Sequence, residues 1–417
     1  MGYNIGLCII CDGVSSGALD YLKRKNLIPN IGRMMDQGSS TLDCRTDDKL
    51  TLTLPNITGM FVSTSSSAHG TNFNHLGHNQ HTPKKSGSLF DRLMVGQTGN
   101  AAMYVEKTKL VHIERVYEPF GTDGIKFCYQ PVNINITNDL IPQSVCYQLL
   151  RDLQFGLGWI DQNMLDPNAE LVRLSAYHGD ARTRLFAEMG KTEEPRLYQF
   201  NVIHFRAADS TGHMVGWNTH QYYQAIIHID QQIGHILRFI DKYEKKDGTY
   251  RFGLALTADH GGGYPDNSNT NNGTTSTLNH LPKGNNHGDS TSPHNFTIPM
   301  VLWGTQIRFR STDLYEHSRA VLWEFANTDQ FKKRFHGMVP VMLQRIMDQS
   351  PTVPNRDLNP PVGKKHPPIR NLSIGNLFAG FFGKVLLSNS SVNIIHLSER
   401  IEDAIPATSF DLPTIRE

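Results

Sequence analysis

Phe252-Gly-Leu-Ala-Leu-Thr257-Ala-Asp259-His260-Gly-Gly-Gly263 is the stretch that decides the fold. Its first half is short, apolar and uncharged, as expected of a strand covered on both faces of a sheet. Its second half sets a carboxylate beside an imidazole just past that strand, followed by three glycines that let other backbone come close. Open α/β sheets place their sites there, outside the carboxyl ends of the strands. The arrangement recurs twice: Tyr3 to Cys11 is almost wholly apolar and breaks at Asp12-Gly13, and Tyr198 to Phe205 is followed by Asp209-Ser-Thr-Gly-His213.

Two further runs read as strands, Ala101 to Val105, which ends at Glu106-Lys107-Thr108-Lys109, and Pro299 to Trp303. Helical patterning lies between them. Residues 18–36 place Leu19, Leu22, Leu27, Ile31 and Met35 inward, with Pro29 starting a fresh turn. Tyr222 to Tyr243 is amphipathic, with Ala225, Ile226, Ile229, Ile233, Ile236, Leu237 and Ile240 on one face. Strands alternating with helices predict an α/β fold: a doubly wound, mainly parallel central sheet with helices on both faces. We expect a single metallohydrolase domain over residues 1–417, with an inserted cap at about 115–195. Residues 265–295, dense in Asn, Ser, Thr and Gly, read as a long loop of the kind that is often functional. The tail after Arg370 returns to helix-like patterning.

Composition excludes several classes. Charge is balanced, 40 Lys+Arg against 39 Asp+Glu, so no electrostatic footprint points to a nucleic-acid polymer or an anionic membrane. No apolar run approaches the roughly 20 residues needed to cross a bilayer. Ile5 to Ile10 lacks the basic flank and cleavage site of a signal peptide. The chain is read as soluble: cytoplasmic, or extracytoplasmic or secreted if a signal was removed. Five cysteines (Cys8, Cys11, Cys44, Cys128, Cys146) are too scattered for a disulfide framework. Cys8 and Cys11 would point to opposite faces of a strand and read as core residues.

Three Asp and three His around one sheet edge (Asp12, Asp209, His213, Asp259, His260, His287) would make two shells of mixed nitrogen and oxygen ligands. Such shells suit zinc with an open coordination position, or manganese or iron. Two ions roughly 3.5–4 Å apart would clamp the attacking and leaving oxygens of a phosphoryl transfer. Thr51-Leu-Thr53-Leu-Pro-Asn56 then supplies a hydroxyl, Thr53, for the nucleophile, and an amide, Asn56, for a phosphate oxygen. Without the ligands, Thr53 reads as a strand end. The histidines His69, His75, His78 and His81 fit no common ligand spacing and read as a solvated loop. Asn56-Ile57-Thr58 is formally a glycosylation sequon, but a glycan there would block the site.

Asp12-Gly13, Thr53-Leu-Pro-Asn56, Asp209-x-x-Gly-His213, Asp259-His260-Gly261 and His287-Gly288 together resemble the alkaline phosphatase superfamily, and most nearly its type I phosphodiesterase/nucleotide pyrophosphatase branch. Arg45 to Asn56, Gly216-Trp217 with Tyr222 and Asp230, Asn295-Phe-Thr-Ile-Pro299 and Pro368-Ile-Arg-Asn371 add softer similarities. The resemblance implies two zinc ions, one held by Asp12, Asp259, His260 and Thr53, the other by Asp209, His213 and His287. It also implies a covalent phosphothreonine on Thr53, hydrolysed by water at the second zinc. His287 is preferred to His280 and His294 because its distance from Gly304 resembles the family's. Sulfatases of the superfamily need a convertible Cys or Ser and an Arg that Thr53-Leu-Pro-Asn-Ile lacks. Lys107 and Lys109 resemble a Lys-x-Arg that binds the doubly charged phosphate in threonine-dependent phosphomonoesterases, although Lys109 lacks the arginine fork. The expectation is a phosphodiesterase or nucleotide pyrophosphatase acting on a small phosphate ester or nucleotide. The alternatives are a phosphomonoesterase or phosphonate hydrolase and, in a different class, a non-catalytic binding protein on the same fold. Oligomeric state is not legible.

Overall fold

The computed structural model describes residues 3–47, 50–75, 88–94, 101–110, 113, 126–129, 144–157, 197–246, 250–263, 284–290, 292–304, 312–314 and 369–382. Its centre is one eight-stranded sheet. In chain order the strands are β1 (Tyr3–Cys11), β2 (Ser39–Arg45), β3 (Ala101–Val105), β4 (Lys126–Tyr129), β5 (Phe200–Phe205), β6 (Tyr250–Thr257), β7 (Thr297–Gly304) and β8 (Thr312–Asp313). Their spatial order is β4-β3-β5-β1-β6-β7-β2-β8. The five strands from β4 to β6 run parallel, whereas β7 is antiparallel to both β6 and β2.

The helices are α1 (Ser16–Arg24), α2 (Pro29–Gln37), α3 (Thr53–Val62), α4 (Leu89–Met94), α5 (Val145–Gly156), α6 (Ala207–Val215), α7 (His220–Lys246) and α8 (Ile374–Phe381). The long helix α7 packs on α2, α5 and β6, while α1 and α2 also lie on β2 and β7. On the other face α8 packs on β1, α3 and α4. Strands buried on both sides therefore carry apolar residues at successive positions, as in Cys8, Ile9 and Ile10 of β1 and Leu254, Ala255 and Leu256 of β6. The doubly wound, mainly parallel sheet with helices on both faces is as the alternating pattern predicts. Among the described residues no helix is long and apolar enough to cross a membrane.

Several details differ. Leu27 is 45% exposed rather than inward, because α1 ends at Arg24 and Asn26 turns the chain through a positive φ of 55° before α2 begins. Strands β2, β4 and β8 were not expected. Ser39–Arg45 is polar and alternates between buried and half-buried positions near one edge of the sheet. Within the range read as a cap, Lys126–Tyr129 pairs with β3 and α5 packs on β3 and β5, so these parts belong to the sheet and its cover. The rest of 115–195 lies outside the described residues, apart from 144 and 157. All five cysteines are buried thiols outside any disulfide, and burial raises the thiol pKa of Cys8, Cys11 and Cys146.

Candidate metal centre and active site

The four adjacent strands β3, β5, β1 and β6 end side by side, and each delivers a charged group. Lys107 follows β3, Asp209 stands in the first turn of α6 just after β5, Asp12 follows β1, and Asp259-His260 follows β6. Backbone ties hold these ends together: the Asp12 amide donates to the Phe205 carbonyl (2.9 Å) and the Asp209 amide to the Asp12 carbonyl (3.0 Å). Gly13 has φ +75°, and a Cβ there would lie 2.8 Å from the Asp209 backbone, so only glycine lets the two ends meet. Its carbonyl accepts from the Trp217 indole (2.9 Å) and the Tyr222 hydroxyl (2.8 Å), which is the role of that softer motif. Asp230 instead accepts from the Asn30 and Ile31 amides, satisfying the otherwise unpaired start of α2.

Two triads form. Asp12, Asp259 and His260 offer one ligand atom each, all within 4.8 Å of one another, and so do Asp209, His213 and His287. The separations are short: His260 Nε2 lies 3.5 Å from Asp12 Oδ1 and 3.3 Å from an Asp259 oxygen, and His213 Nε2 lies 3.4 Å from Asp209 Oδ1. The triads touch, since the His260 and His287 rings stack with centroids 3.6 Å apart.

The donor chemistry fits a pair of cations. Asp12 Oδ1, Asp209 Oδ1 and Asp259 Oδ2 are buried carboxylate oxygens without a hydrogen-bond partner among the described residues, and they are turned into the triads. Each histidine has its other ring nitrogen on a backbone carbonyl: His260 on Gly261 (2.8 Å), His213 on Asn285 (3.1 Å) and His287 on Thr51 (2.6 Å). A carbonyl can only accept, so each Nδ1 carries a proton, which in the neutral tautomer leaves Nε2 bare. The Nε2 atoms of His213 and His287 are then two lone pairs 3.1 Å apart, an arrangement that a cation between them would relieve. Burial holds His287 well below the usual histidine range and so in this neutral form.

Thr53 opens α3, fully buried, with its hydroxyl 3.3 Å from His260 Nε2 and 3.5 Å from Lys107 Nζ. A helix N-terminus there favours developing negative charge on the hydroxyl oxygen or on a phosphate. His287 is the histidine brought into the second triad. His294 is not: its backbone carbonyl instead accepts from the Gly262 amide (3.0 Å). His280 lies outside the described residues, as do His78 and His81.

Asn56 is a correction. Its Oδ1 accepts from the Asp47 amide (2.7 Å) and its amide donates to the carbonyls of Leu50 and Leu52, both at 2.9 Å. Nothing remains to meet a phosphate, and Asn56 is a buried brace for the segment leading into Thr53. Asn371 reaches the same cluster from the far end of the chain, donating to Asn56 Oδ1 (3.4 Å) and the Ala258 carbonyl (3.2 Å). The residue beside the nucleophile is Asn74, whose Oδ1 accepts from the Leu54 amide (2.9 Å) and whose NH2 remains a donor. It sits in a polar stretch without periodicity, so no pattern pointed to it.

Two other groups were missed. His204, in the last turn of a wholly buried strand, places Nε2 2.9 Å from Asp12 Oδ2. Glu106 accepts from the Arg206 amide (2.7 Å), and burial pushes its pKa up to about 8. Lys107 is not a solvated lysine: its ammonium lies 2.6 Å from both Asp12 Oδ2 and Asp209 Oδ2. Lys109 occupies the single turn Thr108–Leu110, where burial and the Lys107 charge lower its pKa.

Fold and site together define an α/β protein with two candidate metal-ligand triads at the carboxyl ends of its central parallel strands. The family model described as type I phosphodiesterase/nucleotide pyrophosphatase matches residues 7–274, a span that holds Asp12, Thr53, Asp209, His213, Asp259 and His260. The chain belongs to that family. Solved structures that the chain matches include murine ectonucleotide pyrophosphatase/phosphodiesterase 5, at 14% identity over 63% of this chain and 57% of that one, with a TM-score of 0.38. A mutant of the alkaline phosphatase PafA is 12% identical over 94% of this chain and 98% of its own, with a TM-score of 0.47. A 2-O glycosaminoglycan sulfatase is 11% identical over 76% and 67%, with a TM-score of 0.46. The chain thus spans little more than half the length of the murine protein. No curated protein sequence matches it.

Proposed function

We propose that this chain is a metal-dependent hydrolase of phosphate esters, of the phosphodiesterase/nucleotide pyrophosphatase type, with Thr53 as nucleophile and two zinc ions. The observation that carries the reading is the convergence of three unpaired carboxylate oxygens and three imidazole Nε2 atoms in two touching triads, with the Thr53 hydroxyl 3.3 Å from the His260 Nε2 of one of them. Asp12, Asp259 and His260 would hold one ion and Asp209, His213 and His287 the other. Bound there, the ions would supply Lewis acidity, lowering hydroxyl and water pKa and offsetting phosphoryl charge.

The remaining chemistry belongs to the chain. Thr53 Oγ1 attacks phosphorus, a P–O bond to the leaving group breaks, and the phosphoryl group, with any second substituent, stays on Thr53. Water then cleaves the Thr53 ester and regenerates the hydroxyl. The N-terminus of α3 and the Asn74 amide stabilise the phosphoryl oxygens. His204 fixes the orientation of Asp12 through its Oδ2. A phosphomonoester is the second reading, favoured by the Lys107 ammonium 3.5 Å from the Thr53 hydroxyl, a charge suited to a dianion.

Turnover of p-nitrophenyl phosphate, bis-p-nitrophenyl phosphate and p-nitrophenyl thymidine monophosphate, before and after chelation, tests this. Preference for the diesters, lost with EDTA and restored by zinc, is expected. Preference for the monoester would move the assignment to a phosphatase, and chelator-insensitive turnover would remove the metals from it.

A further inference from the structure

We propose that Lys107 is a positioning residue that ties the two metal sites together, holding one carboxylate of each triad in its ligand orientation. The proposal rests on the two-ion reading above. The two oxygens of each carboxylate are divided between two jobs. In Asp12, Oδ2 takes Lys107 (2.6 Å) and His204 (2.9 Å), while Oδ1 faces the buried triad without a hydrogen bond. In Asp209, Oδ2 takes Lys107 (2.6 Å), while Oδ1 faces His213 and His287 without a hydrogen bond. One ammonium thus spans both triads without using any of the oxygens left for ions.

Its surroundings suit the task. The Lys107 side chain is 14% exposed, and it follows β3, whose neighbour β5 leads into Asp209. Three carboxylates packed this closely repel one another, and a buried cation between two of them offsets that repulsion before any ion arrives. A cation on the outer oxygens also fixes which lone pairs point inward, the role that hydrogen-bonded partners of metal ligands commonly fill. Because the tie is shared, its loss acts on both sites at once. His204 touches Asp12 only, so its loss acts on one.

The test is zinc binding by the full-length apoprotein against a chromophoric chelator, with cobalt absorption as the reporter of ligand geometry. Wild type should bind two ions. Lys107→Met should weaken both by roughly tenfold or more, whereas His204→Gln should weaken one. Aminoethylation of K107C, which rebuilds an ammonium of near-lysine length while the five native thiols stay buried, should recover both affinities. If K107M does not fold without metal, the unmodified and aminoethylated K107C proteins give the same comparison. Two ions bound to K107M with unchanged affinity, or weakening confined to one site, would overturn the proposal and leave the two-ion reading intact. Failure of wild type to bind two ions would overturn both.

Discussion

The two triads are built from the same residue types but in opposite surroundings. Asp12, Asp259 and His260 are fully buried, and they sit on backbone that leaves two adjacent central strands. Asp209 is also buried, but its partner His213 is 48% exposed on helix α6, and His287 comes from the loop 284–290. That loop is fastened to the nucleophile segment by a reciprocal pair: the Thr51 hydroxyl donates to the His287 carbonyl (2.5 Å) and His287 Nδ1 to the Thr51 carbonyl (2.6 Å). The buried triad is fixed by the sheet, and the other is assembled from a helix and a loop at the solvent edge. If the triads hold ions, the one in the buried triad is expected to exchange more slowly than the one beside the exposed His213.

The largest expected effect comes from breaking the buried triad. Asp259→Asn replaces a charged ligand where no water can enter to substitute, and turnover should fall by about 10³-fold or more, since an ion contributes several kcal/mol to the transition state. More than a tenth of wild-type activity in this variant would mean that the two triads are not distinct in kind. His213→Ala should behave differently. Solvent can take the vacated position, so zinc affinity at the open site should drop about 10–100-fold and excess zinc should restore turnover. If excess zinc does not rescue it, the open site is as rigid as the buried one.

The same contrast decides what was legible in the sequence. Asp12, Asp259 and His260 announce themselves because each closes an apolar run, and a strand end fixes where its next residue goes. Asp209 and His213 were legible from spacing, four residues apart on one helical face. His287 was harder, since three histidines share one polar stretch and, of the two that are described, His287 is the one brought beside Asp209 and His213. Asn56 misled for a related reason: sequence adjacency to Thr53 says nothing of direction, and on α3 its side chain faces away, toward Asp47. Asn74 and His204 reach the site through folding alone. The order of strands, with β7 reversed and β2 slotted beyond it, was likewise invisible, because apolar runs do not record direction.

Smaller effects sharpen the picture. Asn56→Ala removes the side chain that accepts from the buried Asp47 amide and donates to the Leu50 carbonyl, so it should cost about 1–3 kcal/mol of stability, read as a lower Tm, without altering zinc content. A loss of zinc instead would place Asn56 in the site after all. The weakest test is acid. His287 has a folded pKa well below its ordinary value, so below about pH 6.5 the unfolded chain binds a proton that the folded one refuses. Its contribution is present above that value and is lost as pH falls, at up to about 1.4 kcal/mol per pH unit. Thermal melts of the metal-free protein should therefore drop on acidification, and less steeply for His287→Gln. Equal slopes would show that His287 is not held neutral by burial.

Every part of this picture converges on one hydroxyl, and rapid acid quench during steady-state turnover examines it directly. Peptide mass spectrometry of the quenched protein should find the phosphoryl group on Thr53, and T53A should lose both the label and turnover while keeping two zinc ions. A label on another side chain, or turnover surviving in T53A, would contradict the assignment of Thr53 as the nucleophile.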